Sequence, residues 1–268
     1  MKKMFGIVAH PVSHSLSPPM QQAGFDALGI DAEFLRFDVS SEKLEAFVQK
    51  VRTENISGCA VSLPHKEKII PFLDEVTSEA KAIGAVNTLF WKNGKLCGTN
   101  TDAAGFFAAV KSAFSFDASR TRVAIIGAGG AARAMVYVLR KKKILVTVFN
   151  RTAEKAKALA KEFSAEWGNM ENFAASDFSL VCNATSVGLN EEKSPVPSSA
   201  WEHFSGTAFD AVFSPLHTLF LRDAQKNGAN IITGESMLLE QGILQFELWT
   251  EKKAPRQYMQ TALQKAIL

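Results

Sequence analysis

The chain has 268 residues, with 30 lysines and arginines against 27 acidic residues and a net charge of +3. Hydrophobic residues make up 47% and charged residues 21%, which fills a core and excludes global disorder. That length suits one large domain or two ordinary ones, and so small a positive balance gives no ground for a nucleic-acid partner.

Lys2 and Lys3 precede an apolar run of only Met4–Ala9, too short for an export signal. No apolar stretch suits a membrane span of roughly 20 residues. Residues 123–139 come nearest, but Gly127, Gly129, Gly130 and Arg133 interrupt them. Cys59, Cys97 and Cys182 form neither a disulfide framework nor a metal-binding pair. A soluble cytoplasmic protein is expected.

Strands and helices alternate almost throughout, which predicts an α/β fold. Met4–Ala9 reads as a buried strand, and Ser17-Pro18 as a helix start with Ser17 as cap. Glu33–Val39 is a strand. Leu44, Phe47, Val48 and Val51 share one helical face within 41–52. Gly58–Leu63 is a strand closed by Pro64. Asn87–Trp91 and Lys95–Thr99 flank Asn93-Gly94, a hairpin signal because both turn residues tolerate positive φ. Ala103–Phe114 reads as a helix.

A second unit begins near Thr121, with strand Arg122–Ile126, helix Ala131–Lys141 and strand Ile144–Phe149. Helix 153–163 and strands Leu180–Asn183, Ala208–Phe213 and Asn230–Thr233 follow. Helices at about 236–248 and 255–267 end the chain.

Gly127-Ala128-Gly129-Gly130-Ala131-Ala132 joins a strand to a helix and matches GxGxxG/A. Glycine there permits the tight turn and the close approach of a pyrophosphate to the helix N-terminus. The next strand ends Phe149-Asn150-Arg151-Thr152, without the acid that holds a ribose 2′-hydroxyl in NAD sites. Arg151 can pair with a 2′-phosphate, aided by Asn150 and Thr152, so the predicted cofactor is NADP. Alone, Arg151 could equally be a solvated cation and Thr152 a plain helix cap.

Ser15 and Ser17, two residues apart, can hold a small anion, although Ser17 suits a helix cap equally well. Lys66 follows Ser62-Leu63-Pro64-His65 after a strand, Asn87 opens the hairpin, and Asp102 follows Asn100-Thr101. Strand ends near loops are where α/β proteins place chemistry. A lysine with a carboxylate neighbour can relay a proton to or from an alcohol or ketone oxygen. The five histidines show no ligand spacing and read as loop or surface residues. Gln241 lies on a helical face with Met237, Leu238, Leu244 and Leu248, either touching a ligand or emerging at the core's edge.

These segments, in order, resemble shikimate dehydrogenase nearly end to end. The resemblance rests on His14–Pro18, Val61–Glu67, Gly84–Thr88, Asn100–Asp102, Gly127–Ala131, Asn150–Thr152, Asn183–Gly188 and Met237–Gln241. It implies two lobes, a substrate lobe of 1–103 plus 237–268 and a doubly wound, Rossmann-type NADP lobe of 104–236. It implies NADP-dependent interconversion of shikimate and 3-dehydroshikimate in the cleft of the two, by a monomer or homodimer. Lys66 and Asp102 are then catalytic, Ser15 and Ser17 hold the substrate carboxylate, and Ser62, Asn87, Asp102 and Gln241 bind ring hydroxyls. Cofactor contacts are implied at Gly127, Ala128, Gly129, Gly130, Ala131, Asn150, Arg151, Thr152, Thr185, Ser186, Ala211 and Gly234. No metal is implied.

The chain departs from the family at Ala60, where Asn is usual, at Ser62 for Thr, at Ala103 for Gly and at Phe213 for Tyr. Losing the tyrosine hydroxyl costs about 0.5–1.5 kcal/mol for a neutral hydrogen bond. The changes at Ala60 and Phe213 keep open a relative acting on quinate or another polyhydroxy ring acid; a non-catalytic NADP-binding sensor is a second alternative, against which the Lys66 and Asp102 pair argues.

Overall fold

The computed structural model describes residues 2–267. It divides into two compact units: the chain up to Thr101 together with everything from Leu239 onward, and Asp102–Leu238. The expected crossing points, after residues 103 and 236, each lie two residues from these.

The first unit begins with β1 (Lys3–Ala9), α1 (Ser17–Ala27), β2 (Ala32–Asp38), α2 (Leu44–Thr53) and β3 (Gly58–Val61). It continues with β4 (Glu75–Val76), α3 (Ser78–Ile83), β5 (Thr88–Lys92) and β6 (Lys95–Thr99). The six strands form one mixed sheet in the order β2-β1-β3-β5-β6-β4. β1 runs parallel to β2 and β3, while β5 is antiparallel to β3 and β6. Both faces of β1 are covered, which is why it reads as a continuous apolar run. Val8 packs with Leu44, Phe47, Val48 and Val51, the predicted face of α2. Phe5, pointing the other way, meets the Phe25 ring of α1 at 5.0 Å. The hairpin turn has Asn93 at φ 51° and Gly94 at φ 74°, as its sequence requires.

The second unit holds α4 (Asp102–Lys111), β7 (Arg122–Ile126), α5 (Gly130–Lys141), β8 (Leu145–Phe149), α6 (Ala153–Phe163) and β9 (Glu166–Gly168). It continues with β10 (Leu180–Asn183), β11 (Thr207–Asp210), α7 (Leu219–Lys226) and β12 (Asn230–Ile232). Its sheet has the order β12-β11-β10-β7-β8-β9, and every pairing is parallel. The order reverses between β7 and β10, the switch point of a doubly wound sheet, where strand carboxyl ends leave room for a ligand. The helix expected over 103–114 ends at Lys111, and the strand expected over 208–213 ends at Asp210.

Helix α8 (Gly234–Thr250) begins in the second unit and continues in the first, followed by α9 (Arg256–Ile267). Within the first unit the Phe246 ring lies 5.3 Å from Phe25, and Trp249 lies 5.5 Å from Phe5. The buried residues of α8 in this unit are therefore Leu239, Gln241, Gly242, Gln245, Phe246 and Trp249. Leu248, expected on the face of Gln241, is exposed.

Candidate active site

In the first unit the polar candidates gather where β3 and β6 end and β5 begins. Asn87 is 2% exposed and sits just before β5. Its Oδ1 accepts from the Thr101 backbone N–H at 2.7 Å and from the Thr88 hydroxyl at 2.8 Å. Its Nδ2 donates to Thr101 Oγ1 at 2.9 Å and to Gln241 Oε1 at 3.4 Å. Gln241 is thus buried beside Asn87 rather than emerging at the core's edge. Asn100 supports the same corner by donating to the Ala85 carbonyl at 2.9 Å.

Lys66 lies in the turn after β3, and its backbone carbonyl accepts from Val86 N–H at 2.7 Å. That bond sets the lysine turn beside the strand leading to Asn87. Ser62, half-buried, opens the turn. His65, expected in a loop or at the surface, is completely buried, and its Nε2–H donates to the Val39 carbonyl at 2.7 Å. Burial pushes its imidazole below the ordinary value, so it is neutral and anchors the turn. A buried loop histidine leaves no periodic trace in sequence.

Ser15 and Ser17 share one turn, where Ser15 Oγ accepts from Ser17 N–H at 3.3 Å. Ser17 is the first residue of α1 rather than its cap; the cap position is Leu16, which makes no side-chain capping bond. The sequence signal was displaced by one residue because Pro18 is tolerated at either of the first two helical positions. Asp102, 3% exposed, opens α4 in the second unit. A carboxylate in the first turn suits the helix dipole.

The second unit presents the nucleotide candidates at the switch point. Gly127 has φ +125°, and a Cβ there would lie 3.1 Å from the Ala184 backbone. Only glycine fits such a backbone at such a distance. Gly129 caps α5 in an extended conformation, and a Cβ there would meet nothing within 4 Å. Ala128 and Ala131 are half-buried on either side of the cap. This leaves N–H groups at the start of a twelve-residue helix, a fitting cradle for a pyrophosphate.

Arg151 is exposed and forms no hydrogen bond or ion pair among the described residues. Thr152 occupies the cap position of α6, but its side chain makes no capping bond. Asn150 Nδ2 donates to the Thr152 carbonyl at 3.0 Å, shaping this turn. The three residues thus fit a 2′-phosphate: a cation not already paired, and a hydroxyl the helix does not use.

Beyond β10 and β11 lies a network the sequence did not disclose. Asn183 Oδ1 accepts from Thr185 N–H at 3.0 Å and from its hydroxyl at 2.7 Å. Asn183 Nδ2 donates to Asp210 Oδ1 at 2.9 Å, which also accepts from Val212 N–H at 2.9 Å. Asp210 Oδ2 accepts from the Thr218 hydroxyl at 2.6 Å, and Thr218 in turn caps α7. Burial pushes the Asp210 carboxyl up to about 7, against the opposing pull of Thr218, Val212 and Asn183. The network shapes the loops carrying Thr185, exposed Ser186 and Ala211. Gly234 packs against that last loop, since a Cβ there would lie 2.6 Å from the Ala211 carbonyl oxygen.

Cys59, Cys97 and Cys182 are free and buried. Among the described residues no group of three or more His, Cys, Asp or Glu could hold a metal, and no helix is long and apolar enough to cross a membrane.

The "Shikimate dehydrogenase substrate binding domain" family matches residues 7–89, "Shikimate / quinate 5-dehydrogenase" matches 108–186, and "Shikimate 5'-dehydrogenase C-terminal domain" matches 234–264. A shikimate dehydrogenase (NADP(+)) of Shouchella clausii is 37% identical, with 97% of each chain covered. Among solved structures, shikimate 5-dehydrogenase of Thermus thermophilus, in complex with NADP(H) and shikimate, is 38% identical with a TM-score of 0.90. That comparison covers 98% of this chain and 99% of the other. The 5-ketofructose reductase of a Gluconobacter strain is 30% identical with a TM-score of 0.85, covering 99% of both chains.

Proposed function

We infer the roles of individual residues from one premise: the chain belongs to the shikimate dehydrogenase family. It is an NADP-dependent oxidoreductase that interconverts shikimate and 3-dehydroshikimate. The first unit is the substrate lobe and the second the NADP lobe. Gly127–Ala131 cradle the pyrophosphate, Asn150–Thr152 read the 2′-phosphate, and Thr185, Ser186, Ala211 and Gly234 line the remaining nucleotide contacts. The observation that carries the substrate assignment is the buried Asn87–Gln241 amide pair beside the Lys66 turn. Buried amides facing a strand end, rather than packed out by apolar groups, suit the recognition of hydroxyls.

NADPH, when bound, supplies the hydride that reduces the ketone carbon. Lys66 gives a proton from its ammonium to the ketone oxygen, so the C=O bond becomes C–OH and the lysine is left as the amine. In the oxidation direction the same amine takes the hydroxyl proton. Asp102 orients that exchange. Ser15 and Ser17 hold the ring carboxylate, and Ser62, Asn87, Asp102 and Gln241 bind the ring hydroxyls. Lys66→Ala should lower kcat by about 10²–10⁴-fold while NADP still binds. Near-full turnover by this variant would refute the assignment. Three buried, unpaired thiols suit a reducing compartment, and the cytoplasm is the proposed location.

A further inference from the structure

Helix α8 carries a second buried glutamine, Gln245, one turn beyond Gln241 and on the same side. It is 1% exposed and shares the buried side of the helix with Phe246 and Trp249. Its Oε1 is buried with no hydrogen-bond partner among the described residues. A buried amide that leaves its own acceptor unmet is an expensive way to fill a core position. What it gains is on the nitrogen: Nε2 donates to Thr88 Oγ1 at 3.0 Å and to the Asn87 carbonyl at 3.1 Å.

Those two bonds reinforce the way the neighbouring amides face. Thr88 Oγ1 accepts from Gln245, so its own proton is directed to Asn87 Oδ1 at 2.8 Å. The Thr101 backbone N–H, which can only donate, reaches the same oxygen at 2.7 Å. Asn87 is thereby held with its oxygen on Thr88 and Thr101 and its NH2 toward Thr101 Oγ1 and Gln241 Oε1. The Gln241 carbonyl then faces Asn87, and its NH2 is the end turned to other groups. A donor-bearing residue at 245 thus adds, through Thr88, to the Thr101 N–H in holding the donor ends of two amides.

We propose that Gln245 is a positioning residue for substrate: through the Thr88 hydroxyl it fixes Asn87 and Gln241 in the orientation that recognises ring hydroxyls. This rests on the assignment of Asn87 and Gln241 to substrate binding. The test compares Gln245→Leu, Thr88→Val, their double variant and Asn87→Ala for kcat and for the KM of shikimate and of NADP. Thermal unfolding of each variant is followed alongside. Gln245→Leu is expected to raise the shikimate KM about 2- to 10-fold, the loss of one or two neutral hydrogen bonds. The NADP KM should stay within about twofold, because the relay touches no nucleotide group. The double variant should be no worse than Thr88→Val alone, since both break one chain.

An unchanged shikimate KM in Gln245→Leu, or equal rises in both KM values, would overturn the proposal. If Asn87→Ala raises the shikimate KM and Gln245→Leu does not, the relay fails while the substrate assignment stands. If Asn87→Ala leaves the shikimate KM unchanged, the assignment falls and the relay with it. Should Gln245→Leu fail to fold, Thr88→Val decides between the same outcomes, because it removes only the middle link.

Discussion

Asp210→Asn should change how stability depends on pH, and the size of the effect follows from burial. The carboxyl has no exposed surface and is pushed from 3.8 up to about 7. Its neighbours are a hydroxyl, an amide and a backbone N–H, with no cation among them; the nearby Cys182 thiol is itself raised by burial and stays neutral. The folded chain therefore keeps a proton that the unfolded chain releases above about pH 4. A raised folded pKa gives stability that is full below the unfolded value and is lost as pH rises through the folded one. Between pH 5 and pH 8 the loss amounts to about 2–3 kcal/mol. Asparagine keeps the shape, with its oxygen still accepting from Val212 and Asn183 and its NH2 meeting Thr218 Oγ1. Urea unfolding of parent and variant at pH 5, 6.5 and 8, read by circular dichroism, measures the difference. The variant should gain about 2–3 kcal/mol on the parent over that span. Parallel pH curves would refute a burial-raised carboxyl at this position.

Two further outcomes follow from the nucleotide candidates. Gly127→Ala forces a Cβ into a φ of +125° and to 3.1 Å from the Ala184 backbone. It should cost about 1–3 kcal/mol in thermal unfolding and abolish NADP binding measured by fluorescence titration. Arg151→Ala should raise the NADP KM about 10- to 100-fold, the worth of a hydrogen bond to a charged group, and leave the NAD KM nearly unchanged. Equal losses for both cofactors would mean Arg151 does not read the 2′-phosphate.

What was legible in the sequence is what local chemistry encodes. The four apolar positions of α2, the Asn93-Gly94 turn and the strand–glycine–helix junction at Gly127 each state their geometry within a dozen residues. The other strands of the second unit, β9 apart, were legible because buried parallel strands are short apolar runs. The short elements β4, β9 and α7 were not, since two to eight residues carry too little periodicity. The polar networks were hidden for another reason: their partners are remote in the chain. Gln245 and Thr88 are 157 positions apart, and Asn183 and Asp210 are 27 apart. A buried Asp210 looks in sequence like any surface acid, and Gln245 like a polar residue on an amphipathic helix. The one local hint was the Asn-Thr pair that recurs at 87–88 and 100–101, where both asparagines are buried at strand ends.

Ala60 and Phe213 are where the substrate assignment is most exposed to test. Ala60 is buried on β3, paired with Ile7 and Thr88, and Phe213 is half-buried in the loop after β11. Initial-rate formation of NADPH with shikimate, beside quinate and a no-substrate control, each with NADP and NAD, tests it most directly. Turnover selective for shikimate and NADP is the expected result. No turnover while NADP still binds, or faster turnover of quinate, would contradict it.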